Sequence, residues 1–270
     1  MIERVWIFPV LAFIFLPGSF FISYGIAVAK HHVDAIWPFI SDTGTFEPES
    51  SIFGQLLNIG AVLVGICIYL RHRQIVEFYK NECDRSDTCW RHCSLALMWL
   101  GFTAALGISF VANFQETRFL LMHLIGAFQT FCLGILYGWG QTIYSYIMRP
   151  RMIGLAILWI RFFLVFSATF CFCFMMAIGG VYNTFSPNNS TNVTHAMTTT
   201  PLPLRLWTGV HISRNNPDWD QHLAATLSEW AMAITFMIYL LTFAFELRHA
   251  ELIPAKLLIT AKMKNRANKA

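Results

Sequence analysis

Asp42-Thr43-Gly44 is the tripeptide that carries the catalytic aspartate of aspartic proteases, and an apolar Phe39-Ile40 pair precedes it. Such an enzyme needs two carboxylates sharing one proton, so a single chain carries two motifs and a half-size one must dimerise. Here the tripeptide occurs once. Cys83, Cys89, His92 and Cys93 could offer zinc ligands, but their spacing fits no paired-cysteine pattern, and neighbours at 92 and 93 suit a tetrahedron poorly. Free thiols, open to palmitoylation near a membrane, fit them better. There is no Walker-type loop, no His-Glu-x-x-His and no Gly-x-Ser-x-Gly. No catalytic residues, metal ligands or cofactor follow from these patterns.

The elements that must position any site are read from composition. Of 270 residues, 56% are hydrophobic and 13% charged, against about 25% charged in an ordinary soluble domain. The apolar residues fall in six blocks, 5–29, 52–70, 95–112, 119–147, 155–181 and 223–247. Each approaches the ~20 residues that cross a lipid core. The first is too long for the core of a signal peptide and has no small-residue cleavage site before Lys30-His31-His32. The expected fold is all-α, a polytopic six-helix membrane domain over residues 1–248, followed by a basic tail at 249–270. None of the blocks holds an aspartate, so an intramembrane aspartyl protease is not expected either.

Lys and Arg concentrate at the N-terminus, in the 71–94 loop, at 149–151 and in the tail. Positive residues stay on the cytosolic side, which places both termini there. The loop at 182–222, on the opposite side, carries overlapping glycosylation sequons at Asn188, Asn189 and Asn192. Lys256, Lys262, Lys264, Arg266 and Lys269 suit an anionic membrane surface rather than nucleic acid. The expected partners are membrane lipids and unidentified proteins.

Between the first two blocks, Asp42 suits an Asx-type turn, Gly44 a positive φ, and Ser50 or Ser51 an N-cap for the second helix. Trp37 and Phe39 are expected at the lipid interface. Polar residues at membrane depth are functional candidates because burying them is costly. Asn58, Asn113, Gln115, His123 and Glu229 come from four helices yet fall at one depth, near the lumenal boundary. They would line a hydrated cavity lidded by residues 38–54, with His123 and Glu229 as its titratable pair. Equally, they would serve as interhelical hydrogen bonds that hold the bundle together. Arg161, two turns inside the fifth helix, is expected to snorkel outward.

The loop motif Ser41-Asp42-Thr43-Gly44-Thr45 with Pro48-Glu49 and Phe53-Gly54, and Val111-Ala112-Asn113-Phe114-Gln115 closing the third helix, resemble the DRAM family of damage-regulated autophagy modulators. The likeness extends to His123 with Gly126-Ala127, Trp159-Ile160-Arg161 and Glu229-Trp230, over residues 5 to 248. The absence of a recognised catalytic set favours a non-enzymatic role. The resemblance implies a multi-pass lysosomal or endolysosomal protein that promotes autophagy, in some members downstream of stress signalling. It assigns no catalytic residue. Another endomembrane or the plasma membrane is the alternative location. A lipid-handling protein, working by transport, scrambling or remodelling at the lumenal polar cluster, is the alternative function.

Overall fold

The computed structural model describes residues 4–83, 89–148, 151–185 and 219–252. The sequons at Asn188, Asn189 and Asn192 and the tail beyond residue 252 lie outside the described residues. Helix α1 is Ile7–Ala29, α2 Glu49–Cys83, α3 Cys89–Asn113, α4 Glu116–Phe128, α5 Gly134–Ile147, α6 Leu155–Phe185, α7 Trp219–Leu241 and α8 Phe243–Leu247. Among the described residues, six helical spans are long and apolar enough to cross a membrane: Ile7–Ala29, Glu49–Asn81, Cys89–Asn113, Glu116–Ile147, Leu155–Ile178 and Trp219–Leu247. α1 packs on α2, α2 on α3, and α6 on α7.

The apolar residues divide by face. Leu16, Phe53, Leu57, Val64, Trp230 and Met237 meet in the core, whereas Val62, Trp99, Leu121, Phe163 and Phe170 point outward. An outward apolar face is what a lipid solvent requires, since every backbone polar group is already satisfied within its helix.

Two elements depart from the sequence reading. α2 runs well past Leu70, because Arg71, Ile75 and Phe78 continue one buried helical face. Ile75, Phe78 and Tyr79 pack there against Tyr144 of the fourth span and Met148 just beyond it. That fourth span is itself interrupted. Its backbone kinks at Phe119 (φ −133°, ψ 54°), and Gln129–Leu133 forms one turn of π-helix between α4 and α5. Such turns inside α-helices often mark functional positions.

α3 and α4 touch backbone to backbone. A Cβ built on Gly107 would lie 2.6 Å from the Gly126 carbonyl oxygen, and one on Gly126 2.9 Å from the Gly107 carbonyl. Only glycine at both positions permits this approach.

Candidate functional site

The loop between α1 and α2 is buried rather than solvated. Residues 42–44 form a single 3-10 turn, and no described glycine has positive φ. The expected Asx turn and left-handed Gly44 are therefore not present. Asp42 Oδ2 instead accepts the N–H of Phe39 at 3.2 Å. Gly44 is small for a packing reason, since a Cβ there would fall 2.4 Å from the Phe53 ring. α2 begins at Glu49, so Ser50 and Ser51 lie in its first turn and do not cap it. Phe39 is buried edge-on against the His222 ring, while Trp37 stays half exposed beside Trp230. Phe39, buried in protein, does not take the interface place expected of it.

Side chains from four helices hold this loop. Ser23 of α1 shares a hydrogen bond with Thr43 at 2.9 Å. Ser41 donates to Glu116 Oε2 of α4 at 2.9 Å. Ile40 N–H donates to Glu229 Oε2 of α7 at 2.8 Å, and Trp230 Nε1 donates to the Pro38 carbonyl at 2.9 Å. Glu49 of α2, fully buried, pairs with His32. Asp42, Glu116 and Glu229 thus collect at one end of the bundle. Burial first, and the Glu116 carboxyl beside it second, hold the Asp42 carboxyl well above the ordinary aspartate range.

The residues expected to share one cavity separate into three groups. His123 and Glu229 do line a common cavity, closed at their end by Ile40, Ser41 and Phe53. Each is bonded to backbone rather than to the other. His123 Nδ1 lies 2.8 Å from the Phe114 carbonyl, which can only accept, so Nδ1 carries the proton. Asn58, Asn113 and Ser109 form a separate trio pinning α2 to α3, with Ser109 Oγ donating to Asn58 Oδ1 at 2.7 Å. Gly54, at the same crossing, leaves room for the Ala112 carbonyl, 3.0 Å from where its Cβ would stand. Gln115 is the extended residue before α4, and its carbonyl accepts the N–H groups of Arg118 and Phe119.

The cavity runs along the bundle axis. On α2 its wall extends from Phe53 to Ile68, on α7 from Glu229 to Leu240, and the π-helical turn adds Thr130 and Phe131. It offers about 140 Å³ to the centres of water-sized molecules, roughly ten times the room one water needs. Tyr137, Gly138 and Tyr239 lie toward its far end.

Beyond that far end is a buried ionic cluster that the sequence reading missed. Arg71 Nη1 and Arg161 Nη1 reach the two oxygens of Glu246 at 2.6 and 2.9 Å. Arg71 Nε also donates to Gln141 at 3.0 Å, and Arg161 donates to Ser145 and Thr242 at 2.6 and 2.8 Å. The Arg161 guanidinium stacks over Phe243, 4.8 Å from the ring centroid. Arg161 is fully buried and does not snorkel, because Ser145 of α5, Thr242 between α7 and α8, and Glu246 of α8 hold its Nε and Nη1 in place.

The model of the Frag1/DRAM/Sfk1/Cwh43P N-terminal domain matches residues 4–250. The chain belongs to this family. Within the family's wider set, the chain is 33% identical over 237 residues to DNA damage-regulated autophagy modulator protein 2 of Bos taurus, covering 87% of this chain and 81% of the relative. It is 32% identical over 235 residues to DNA damage-regulated autophagy modulator protein 1 of Homo sapiens, covering 87% of each. It is 37% identical over 163 residues to the modulator of macroautophagy TMEM150B of Xenopus tropicalis, covering 60% of this chain and 67% of the relative. No solved structure matches it. The family match spans both ends of the cavity, the acidic loop and the Arg71–Glu246–Arg161 cluster alike.

Proposed function

We propose that this family member is a non-enzymatic, multi-pass modulator of autophagy in the endolysosomal membrane. The observation that carries the reading is the match, over 87% of the chain, to proteins named as autophagy modulators. In this reading both termini are cytosolic, following the distribution of Lys and Arg. The acidic loop and the sequons at Asn188, Asn189 and Asn192 then face the lumen. A buried Asp42 that favours its protonated form suits an acidic lumen. The chain works among membrane lipids, with protein partners that its cytosolic tail can reach.

A tagged copy tests this. It should coincide with lysosomal markers and lose mass on glycosidase treatment, and replacing Asn188, Asn189 and Asn192 with Gln should abolish that mass loss. Residence at the plasma membrane alone would contradict the location.

The long apolar cavity favours a second reading, a lipid-handling role. Removing the protein would then change the distribution of a lipid across the membrane, measured with headgroup-specific probes, before any change in autophagy.

A further inference from the structure

Two buried donors at the Arg71 end of the cavity have no acceptor among the described residues. Tyr137 lines the cavity and is 7% exposed, yet its hydroxyl has no hydrogen-bond partner. Arg161 Nη2 is buried and unpaired as well. Native interiors leave few such groups unsatisfied, and each one calls for a reason.

Charge gives the reason. Arg71 and Arg161 share one carboxylate, Glu246, so the cluster holds an excess of one positive charge. The rings of Phe243 and Tyr239 offset part of it. Burying the remainder without an anion is costly. The Tyr137 hydroxyl lies within electrostatic reach of both guanidiniums. Tyr239, whose ring faces Arg161 at 5.9 Å, belongs to the same cavity wall. That wall therefore presents an O–H donor backed by positive charge.

The shaft above it is apolar, with Val64, Ile68, Ala233, Phe236 and Met237 among its lining. Its extent along α2, from Phe53 to Ile68, is ~22 Å at the helical rise. That exceeds the ~15 Å half-thickness of a bilayer's hydrocarbon core, enough for one acyl chain. The opposite end holds His123 and Glu229, with Glu116 and Asp42 behind Ser41, a carboxyl-rich group with no arginine or lysine in the described lining to hold an anionic head. The direction of a bound molecule is thereby set.

We propose that the cavity binds a single-chain anionic amphiphile, a long-chain fatty acid, with its carboxylate accepting the Tyr137 hydroxyl and its tail directed toward Ile40. This rests on the lipid-handling reading and narrows it to a substrate class and an orientation.

The test uses the full chain in nanodiscs and a palmitate carrying a mid-chain diazirine. Light should attach the probe to the α7 wall between Ala233 and Leu240. Palmitate should compete for that labelling, while methyl palmitate and hexadecylamine compete poorly and octanoate hardly at all. Tyr137→Phe should weaken competition by palmitate at least about tenfold, the worth of a hydrogen bond to a charged group. The ligand series on the unaltered chain decides the matter even if the variant fails to fold. Stronger competition by the amine would place the head at Glu229 and overturn the proposal. Competition by a phospholipid alone would overturn it while leaving lipid handling intact. Labelling that no amphiphile displaces would overturn both.

Discussion

Glu229 on α7 accepts the backbone N–H of Ile40 at 2.8 Å, joining two residues 189 positions apart in the chain. The contact fixes the loop that closes one end of the cavity. Glu229→Gln keeps an acceptor at that place, so thermal unfolding in detergent should change little. Glu229→Leu strands the Ile40 N–H and should cost about 1–3 kcal/mol. Equal losses in the two variants would show that the charge, not the hydrogen bond, matters.

At the other end, removing the carboxylate should hurt more than removing either cation. Glu246→Gln leaves two buried guanidiniums without an anion, and should destabilise the fold by about 3–5 kcal/mol. Arg161→Met leaves a neutral Arg71–Glu246 pair. The hydroxyls it abandons keep backbone acceptors, Ser145 at Gln141 and Thr242 at Tyr239. Its unfolding midpoint should therefore fall clearly less than that of Glu246→Gln.

The acidic loop should loosen as pH rises. Burial and Glu116 raise the Asp42 carboxyl above its ordinary range, so the folded loop binds a proton more tightly than the unfolded chain. The stabilisation is complete below the ordinary aspartate value of about 3.9 and is lost as pH climbs through the raised value. Hydrogen exchange of amides 39–46, corrected for intrinsic rates, should show protection falling toward neutral pH. Glu116, Glu229, His222 and the His32–Glu49 pair also face this region. Asp42→Asn isolates the effect and should flatten the profile, whereas an unchanged profile in that variant would assign the dependence to those neighbours.

Close approach at the α3–α4 crossing makes a steric prediction. Gly126→Val would drive a side chain into the Gly107 backbone and the Phe110 Cβ, 2.6 Å from its own Cβ. Backbone cannot move aside as a side chain can. Overpacking of this kind costs about 1–3 kcal/mol or more. For Gly44→Ala the nearest atoms are those of the Phe53 ring, so Phe53→Leu should partly rescue it. Expression and unfolding midpoints of the single and double variants check both statements.

The helices were legible from block length alone, because a span must satisfy its own backbone and expose apolar side chains to lipid. The carboxyl and imidazole of Glu229 and His123 were legible for the same reason, being costly at depth. Arg71 and Glu246 were not. Each stands near the end of an apolar block, where a charge reads as an interface residue. Only tertiary packing brings together partners 175 residues apart. The continuous buried face of Arg71, Ile75 and Phe78 is the one signal that could have extended α2 inward. Asp42 and Gly44 depart from the turn chemistry their types suggest, since packing against Phe53 selects glycine at 44 and no positive φ is adopted there.

Autophagic flux tests the central claim most directly. Cells from which the protein is removed should accumulate less lipidated autophagosome marker during a lysosomal block than matched controls, and re-expression of the unaltered chain should restore the difference. Equal accumulation with and without the protein, under both fed and starved conditions, would contradict the assignment to autophagy.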